Sequence, residues 1–496
     1  MAAKKAYLAI DMGASSGRHV IGSFDGKKLN LEEVYRFENG PVDVSGSLFW
    51  DLLNQWTHVK NGMRAAATKA DGAITSVGVD TWGVDFALLG RDDTLLGNPY
   101  HYRDARNDGM MDYAFSLVPR EEIFRHTGLQ FMQFNSLFQL LAMKRSRSPL
   151  LDQAESFLMV PDIFHWLMTG VKVNEFTEAT TSQMFNPTTG SWATDLLHQF
   201  GLPTGILQTL AMPGTSLGGL RASVMEETGL RTTQVVLPAT HDTGSAVAAV
   251  PAHSVPGKAP NWAYVSLGTW ALMGVESPVP VVNPTVSRLN FTNEGGVDKT
   301  YRILKNICGL WLVQECRRMW NLGGKNFGWE DLNRLTREAT PLKSFINPDA
   351  RDFLGPTNMP EAIREYCRRT DQVVPETEGE VLRCALDSIA MKFRHVLEMC
   401  EQITGERIET VHIVGGGIQN RILCQSAANA TGRVVVTGPI EATAIGNIAV
   451  QAIASGEFSG LAEARSVIRE SFPVEEYTPQ DVGAWNDAYD RFLKVL

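Results

Sequence analysis

One local pattern occurs twice in this chain and restricts the fold more than any other feature. Ala6–Ile10 has the composition of a short apolar strand, residues 11–17 are small or polar, and a second strand is predicted at 19–24. The second copy has the same three parts: a strand at 262–265, a turn at 266–269 and a strand at 270–275. A chain that begins each half with the same strand–turn–strand unit is expected to fold as two related α/β domains.

The length of the chain also favours more than one domain. With 496 residues it exceeds the size at which a single hydrophobic core keeps growing. Residues 251–260 contain three prolines and a glycine, which is typical of a linker. We therefore predict an N-terminal domain at 1–250 and a C-terminal domain at 251–496.

The small-residue turns have a composition that suits phosphate. Backbone N–H groups at the tip of such a hairpin can surround an anion, although many glycine- and serine-rich turns have no ligand. The sequence contains no GxxxxGK[ST] motif, which excludes a P-loop nucleotidase. Whatever nucleotide chemistry the chain performs must use a different phosphate-binding architecture.

Charge and cysteine usage exclude several other classes. The formal net charge is −10, which argues against a nucleic-acid partner. No apolar run approaches the ~18 residues that span a bilayer, and the chain enters a strand pattern at Tyr7 without a signal-peptide core. Six cysteines lie far apart with no CxxC spacing, so we expect neither structural zinc nor a disulfide framework. These features predict a cytoplasmic protein without a membrane partner.

The stretch around Asp242 combines a strand end with a helix start. Gln234–Leu237 is rich in β-branched residues, and small residues after Gly244 predict a tightly packed helix. Asp242 therefore stands at or near a helix N-terminus, where it either serves only as a cap or takes part in a site for phosphate-like charge. The residues alone leave both interpretations open.

Two further segments also allow two interpretations. In Thr81–Leu89, Trp82 and Asp85 beside Gly83 either face a polyol or form a buried turn. The three glycines at 415–417 lie between a predicted strand and a predicted helix. They either serve a tight turn or allow a flat ligand such as an adenosine to approach the backbone.

Taken in this order, the motifs resemble the FGGY family of carbohydrate kinases over nearly the whole chain. The stretches that carry the resemblance are 11–18, 81–85, 240–243, 268–270 and 415–417. The resemblance implies two ribonuclease-H-like domains of the actin, sugar kinase and heat-shock ATPase type, with a cleft for ATP and sugar between them. One departure is Leu267, where the family pattern has a smaller residue before Gly268.

The resemblance also implies a role for individual residues. Asp242 is implied as the general base, and Asp11 as the residue that positions Mg²⁺. The expected sugar-binding residues are Gly83, His241, Asp242, Thr243 and Asn306. The expected ATP-binding residues are Ala14, Ser15, Ser16, Gly17, Arg18, Thr269, Gln314 and Gly416.

Three stretches, at 82–86, 292–296 and 304–311, resemble the members of the family that act on L-rhamnulose. The expected activity is ATP-dependent phosphorylation of L-rhamnulose on its 1-hydroxyl, in L-rhamnose catabolism. Kinases for L-fuculose, xylulose or gluconate are alternatives within the family. A non-catalytic, nucleotide-gated protein of the actin or chaperone type is an alternative from another class. The only partners expected are small molecules, and the oligomeric state is left open.

Overall fold

A computed structural model describes residues 5–252 and 261–496. Most of the predicted linker, residues 253–260, therefore lies outside the described residues. The described chain forms two compact units. Unit 1 contains residues 5–249, 276–303 and 442–471, and unit 2 contains 250–252, 261–275, 304–441 and 472–496.

Most strands are short, and several consist of only two residues. In chain order they are β1 Ala6–Met12, β2 Ser16–Phe24, β3 Leu29–Glu38, β4 Pro41–Val44, β5 Ser47–Trp50, β6 Ser76–Thr81, β7 Phe86–Leu89, β8 Ser156–Met159, β9 Asn174–Glu175, β10 Phe185–Asn186, β11 Ser191–Trp192, β12 Leu210–Ala211, β13 Ser216–Gly219, β14 Gln234–Val236, β15 Trp262–Leu267, β16 Trp270–Ser277, β17 Thr292–Gly295, β18 Tyr301–Cys308, β19 Thr410–Val414, β20 Val434–Thr437 and β21 Glu475–Tyr477.

The helices vary more in length. In chain order they are α1 Leu52–Lys69, α2 Met110–Leu117, α3 Arg120–Thr127, α4 Ser136–Arg145, α5 Pro149–Asp152, α6 Val160–Thr169, α7 Phe176–Ala179, α8 Thr194–Gln199, α9 Ala222–Thr228, α10 Asp242–Ala248, α11 Pro284–Leu289, α12 Trp311–Leu322, α13 Trp329–Glu338, α14 Met359–Arg369, α15 Glu378–Thr404, α16 Arg421–Thr431, α17 Ala442–Ala454, α18 Leu461–Ser471 and α19 Val482–Leu493.

The central sheet of unit 1 has the strand order β13-β14-β6-β1-β2-β3. β1 is antiparallel to β2 and parallel to β6, and β6 is in turn parallel to β14. Residues 7–10 of β1 are completely buried, and α1, α6 and α17 all contact strands of this sheet. A strand that is apolar at every position is stable only when both faces of its sheet are covered, as here.

The first hairpin differs from its prediction in one respect. The loop expected at 11–17 is shorter, because β1 continues to Met12 and β2 begins at Ser16. The ladder extends that far because Asp11 pairs with Arg18 and Met12 with Gly17 across the two strands. Arg18 also binds the Asp11 carboxylate, which adds an ion pair to the backbone ladder.

Unit 2 repeats the plan of unit 1. Its main strands follow the order β18-β16-β15-β19-β20-β21. β15 is antiparallel to β16 and parallel to β19, as β1 is to β2 and β6. The duplication predicted from sequence is therefore confirmed at the level of strand pairing.

Capping residues mark both ends of α15, the longest helix of unit 2. The Thr377 hydroxyl accepts a hydrogen bond from the N–H of Glu380, and the Glu380 carboxylate accepts one from the N–H of Thr377, which forms a capping box. Gly405 adopts a left-handed conformation at the other end, with φ of 71°. Between these caps α15 spans 27 residues and contacts α13 and α16.

Candidate active site

Three parallel strands of unit 1 end at the same edge of its sheet. Asp11 lies near the end of β1, Asp80 is its register partner near the end of β6, and His241–Asp242 follow β14. The N–H of Thr81 donates to the carbonyl of Thr240 at 2.8 Å, which joins the last two segments. The carboxyl ends of neighbouring parallel strands are the usual position of ligand sites in α/β sheets.

Asp242 is the first residue of α10, and His241 occupies the N-cap position. The Thr243 hydroxyl donates to Oδ1 of Asp242 at 3.1 Å, and 32% of the Asp242 side chain remains exposed. Desolvation raises the pKa of the Asp242 carboxyl, the nearby His241 lowers it in part, and the charge of Asp11 raises it further. A carboxylate that is both accessible and more basic than usual is suited to accept a proton.

The turn of the first hairpin is closed by its own backbone. The N–H of Gly13 donates to the carbonyl of Ser16 at 2.9 Å, and Ala14 and Ser15 lie at the accessible tip. Gly17 has no such freedom, because a Cβ on it would lie 2.2 Å from the ring of Phe37. The predicted ATP residues 14–16 are thus available to a ligand, whereas Gly17 is required by packing.

Arg18 and Asp11 bind each other. The Nε and Nη2 atoms of Arg18 donate to Oδ2 of Asp11 at 2.9 and 2.7 Å. The Asp11 side chain is only 6% exposed, whereas Arg18 is 24% exposed.

Asp80, which the sequence analysis did not single out, lies at the same edge of the sheet. It is completely buried, and its Oδ2 accepts a hydrogen bond of 2.6 Å from Asn447 on α17. Gln451 supports Asn447 at 2.6 Å and is itself bound by Ser76 at 2.7 Å. Oδ1 of Asp80 is buried with no hydrogen-bond partner among the described residues.

Burial raises the pKa of Asp80 well above the usual range, and the charges of Asp11 and Asp242 raise it further. Three carboxyl groups therefore interact at this edge of the sheet. Such a group of acids is expected where a cation or a proton is to be held.

Within the Trp82–Asp85 segment, Asp85 and Gly83 have different surroundings. Asp85 is completely buried and accepts four hydrogen bonds, from Trp50 Nε1 at 2.6 Å, Trp82 Nε1 at 3.0 Å, the Tyr102 N–H at 3.1 Å and Gln139 Nε2 at 2.8 Å. Its carboxylate is thus saturated by the protein, which favours the buried interpretation of this residue.

Gly83 lies in the same segment but is partly exposed. A Cβ on Gly83 would approach the Thr181 side chain at 3.1 Å, and the Thr181 hydroxyl accepts a hydrogen bond from the N–H of Val84 at 3.0 Å. The glycine therefore keeps a narrow space open beside a polar side chain. This is compatible with its predicted contact to the sugar.

In unit 2, the second hairpin turn is fixed against the start of α12. Thr269 donates to Oε1 of Gln314 at 3.1 Å, and the N–H groups of Leu310 and Trp311 donate to the carbonyls of Gly268 and Thr269. A Cβ on Gly309 would lie 2.7 Å from the backbone of Trp270. Thr269 and Gln314, predicted separately to bind ATP, are thus in contact.

The three consecutive glycines of unit 2 differ in their surroundings. Gly415 has φ of +92°, which disfavours other residues, and a Cβ on Gly417 would lie 2.3 Å from Cγ of Leu267. A Cβ on Gly416 would meet nothing within 4 Å, and Gly416 is exposed. The protein alone therefore explains Gly415 and Gly417 but not Gly416, which is the position predicted to contact the nucleotide.

The packing of Gly417 also explains the unusual Leu267. The leucine side chain occupies the space that the missing Cβ of Gly417 leaves open. A larger residue before Gly268 is therefore accommodated without displacing the turn.

A cavity of about 640 Å³ opens in unit 2 beside the glycine turn. Gln419, at the end of the 3₁₀ turn Gly416–Gln419, lines it together with residues of α13, α15 and α16. Its volume lies within the range of small-molecule pockets. Asn306, the remaining predicted residue of this unit, lies on β18 and is partly exposed.

The predicted residues thus form two groups. Unit 1 contains Asp11, residues 14–18, Gly83 and residues 241–243, and unit 2 contains Thr269, Asn306, Gln314 and Gly416. Among the described residues, no set of three or more His, Cys, Asp or Glu side chains is arranged to hold a metal ion. No described helix has the length and apolar character needed to cross a membrane.

Comparison with known proteins identifies the family. Residues 6–249 match the N-terminal domain of the FGGY family of carbohydrate kinases, and residues 263–455 match its C-terminal domain. The chain belongs to the FGGY family of carbohydrate kinases. The enzyme is thus a sugar kinase that uses ATP, and the resemblance inferred from the motifs is confirmed.

Several curated relatives of this kinase match it over nearly the full length. It is 44% identical to a rhamnulokinase of Bacteroides thetaiotaomicron over 99% of this chain and 100% of the relative. It is 41% identical to a rhamnulokinase of Oceanobacillus iheyensis, over 95% of this chain and 97% of the relative. A rhamnulokinase of Bacillus subtilis is 37% identical over 96% of both chains.

Solved structures share the fold of the kinase at much lower identity. Gluconate kinase from Lactobacillus acidophilus superposes with a TM-score of 0.80 at 16% identity, over 99% of this chain and 98% of that one. Plasmodium falciparum glycerol kinase with ADP gives 0.77 at 14% identity, over 99% and 98% of the two chains. The two-domain α/β sugar kinase fold predicted from sequence is therefore confirmed.

Proposed function

We propose that this kinase transfers the γ-phosphoryl group of ATP to the 1-hydroxyl of L-rhamnulose and forms L-rhamnulose 1-phosphate in L-rhamnose catabolism. The observation that carries the proposal is the 44% identity to a rhamnulokinase over almost the entire length of both chains. The gluconate and glycerol kinases resemble this chain in fold at 16% and 14% identity, which gives no support to either substrate.

We assign the proton transfer to Asp242. As the 1-hydroxyl oxygen bonds to phosphorus, its proton passes to the Asp242 carboxylate, and the bond between the γ-phosphorus and the oxygen of ADP breaks. The 32% exposure of Asp242 and its raised pKa support this role. Phosphoryl transfer depends mainly on positioning and charge stabilisation, so a single well-placed carboxylate is a sufficient base.

The sugar-binding residues are proposed from their surroundings. Gly83, His241 and Thr243 lie in unit 1, as the base does, and Asn306 lies on β18 in unit 2. The backbone N–H of His241 donates to the Thr177 hydroxyl, and the Thr243 hydroxyl donates to Asp242, so the backbone at 241 and the Thr243 hydroxyl are already oriented. Oriented polar groups reduce the entropy lost when a polyol binds.

The ATP-binding residues are proposed for each unit separately. In unit 1 its phosphates would meet the N–H groups of Ala14 and Ser15, with Ser16, Gly17 and Arg18 behind the turn. In unit 2 we assign the nucleotide to Thr269, Gln314 and Gly416. The accessible first turn, the contact between Thr269 and Gln314 and the unexplained glycine at 416 support these assignments.

We further propose that Asp11 positions Mg²⁺, with Asp80 as a second carboxyl group beside it. Carboxylate oxygens are suitable ligands for this ion, and the unpartnered Oδ1 of Asp80 fits a cation environment. Mg²⁺ commonly keeps several waters and uses substrate phosphates as ligands, so one or two carboxylates are sufficient protein ligands. When bound, Mg²⁺ neutralises charge that develops on the phosphate oxygens.

The direct test measures ADP release with and without L-rhamnulose, and ³¹P NMR identifies the phosphorylated position of the product. We expect turnover that depends on the sugar and yields a 1-phosphate. ATP turnover that ignores every ketose would instead favour a nucleotide-gated protein of the actin or chaperone type. A phosphate on any other hydroxyl would contradict the assigned reaction.

A further inference from the structure

The two ring nitrogens of His241 have different neighbours, all within unit 1. Nε2 lies 3.5 Å from Oδ1 of Asp242. Nδ1 lies 3.1 Å from Nη2 of Arg302 and 3.3 Å from Oε2 of Glu294. The side chain of His241 is only 8% exposed, so these neighbours rather than solvent determine which nitrogen carries the proton.

Arg302 is fixed in place by two further contacts. Its Nε donates to the carbonyl of Gly295 at 2.8 Å, and its Nη2 lies 3.2 Å from Oε2 of Glu294. The Arg302 side chain is completely buried. Glu294 is therefore the counter-charge that allows the arginine to be buried.

Two tautomers of His241 compete in this environment. A proton on Nδ1 would point toward Glu294 but would also face an N–H group of Arg302. A guanidinium can only donate hydrogen bonds, and its N–H satisfies hydrogen-bond geometry toward Nδ1. Oε2 of Glu294, by contrast, accepts no hydrogen bond from any described residue. These contacts favour Nδ1 as an acceptor, and a neutral imidazole then carries its proton on Nε2.

We propose that Arg302 is a positioning residue that fixes His241 as its Nε2–H tautomer and directs this N–H toward the Asp242 carboxylate. The inference rests on the proposed role of Asp242 as the base. In this tautomer His241 orients and stabilises the ionised carboxylate before proton transfer. It also has no lone pair on Nε2 with which to compete for the proton of the sugar.

The first test needs no variant at the proposed residue. The enzyme is labelled with ¹⁵N only in its ten histidines, and the ring nitrogens of His241 are assigned from the signals missing in His241→Gln. Nitrogen chemical shifts distinguish a protonated ring nitrogen from an unprotonated one. At neutral pH we expect a protonated Nε2 and an unprotonated Nδ1. A protonated Nδ1 in the free enzyme, with or without a proton on Nε2, would overturn the proposal.

The second test removes the arginine together with its counter-charge. In the double variant Glu294→Gln/Arg302→Met we expect a mixture of His241 tautomers and a kcat about 10- to 100-fold lower, the range seen when groups that orient a histidine are lost. The KM for the ketose should change much less. The single variant Arg302→Lys retains a cationic donor beside Glu294. Its kcat should therefore be higher than that of the double variant.

Arg465→Met is the matched control. Arg465 is also buried in unit 1 and binds Glu276 at 2.8 and 2.9 Å, and it contacts the opposite end of α10. It should lower stability without changing the His241 tautomer or kcat. An equal loss of kcat in this control, or an unchanged tautomer in the double variant, would contradict the role of Arg302. The proposed function is tested by a different variant: it is contradicted if Asp242→Asn remains active.

Discussion

At the residue scale, Asp242 differs from the neighbouring acids in its exposure. Its side chain is 32% exposed, whereas that of Asp11 is 6% exposed and Asp80 is completely buried. A base must contact the hydroxyl group from which it takes the proton. A carboxylate that the protein encloses completely cannot make that contact. Asp11 and Asp80 are instead the carboxyl groups that we propose to interact with Mg²⁺.

We therefore expect Asp242→Asn to lower kcat by about 10²- to 10⁴-fold, the usual effect of losing a general base. ATP affinity, measured by calorimetry, should remain close to that of the wild type because the amide preserves the shape of the residue. Asp112→Asn, in the exposed first turn of α2, serves as the control and should leave kcat unchanged. A variant that keeps more than about a tenth of wild-type turnover would exclude Asp242 as the base.

The sequence predicted some of these residues and missed others for a physical reason. The strand and helix patterns that flank Asp242 placed it at a helix N-terminus, and the resemblance to the family supplied its proposed role. Asp80 depends on Asn447, which lies 367 residues away along the chain. His241 likewise depends on Arg302, 61 residues away. Local patterns contain no information about such partners, so the two polar networks become visible only in the folded chain.

At the scale of elements, the glycine turn of unit 2 allows a graded experiment. In Gly416→Val the new side chain enters open space, so the fold should persist while ATP affinity falls, since the side chain occupies space proposed for the nucleotide. In Gly417→Val the side chain collides with Leu267, so we expect a lower melting temperature as well. Titration with ATP and with L-rhamnulose separates these effects.

Gly460→Val is the control for this series, because a Cβ there also meets nothing within 4 Å. It should change neither ligand affinity. If Gly416→Val weakened the sugar as much as ATP, the residue would have a structural role rather than a nucleotide contact.

A second prediction at this scale concerns the buried carboxyl group of Asp85. It accepts hydrogen bonds from Trp50 on β5, from Trp82 and from Gln139 on α4. Burial raises the pKa of Asp85 from 3.8 to about 6, although hydrogen bonds from Trp50, Gln139 and Trp82 oppose the shift. Between these two values the folded state binds more protons than the unfolded state. The free energy of unfolding should therefore fall as the pH rises from about 4 to about 6, by up to about 3 kcal/mol from this group.

Urea unfolding of the wild type and of Asp85→Asn at several pH values measures this contribution. The variant cannot ionise, so its free energy of unfolding should depend less steeply on pH over that interval. The exposed Asp112→Asn variant should retain the wild-type slope. Identical slopes for Asp85→Asn and the wild type would mean that Asp85 does not titrate in this range.

The elements themselves were predicted more accurately than their ends. The strand expected at 19–24 extends over Ser16–Phe24, and the strand expected at 270–275 extends over Trp270–Ser277. The first hairpin loop was wrong because Arg18 pairs with Asp11 and prolongs the ladder, an interaction between strands that no single-strand pattern reveals. Periodicity identifies an element, whereas contacts with neighbouring elements determine where it begins and ends.

At the scale of the whole molecule, the duplication explains why the fold could be predicted. Each unit contains a hairpin followed by a parallel strand, namely β1, β2 and β6 in unit 1 and β15, β16 and β19 in unit 2. A pattern that occurs twice is much harder to obtain by chance than a single glycine-rich turn. The placement of the domain boundary between residues 250 and 251 stays a prediction.

The prediction at this scale concerns the substrate. It is tested by comparing kcat/KM over a panel of sugars. L-rhamnulose has a methyl group at one end and hydroxyl groups along the rest, and we expect it to give the highest value. L-fuculose keeps the methyl group but inverts a hydroxyl, so it should be poor but detectable. An apolar contact discriminates by about 10- to 200-fold, whereas a mispaired hydroxyl can cost about 10⁴-fold. Glycerol and gluconate should therefore be much worse, and a higher kcat/KM for xylulose or gluconate would retain the sugar kinase but exclude L-rhamnulose as its substrate.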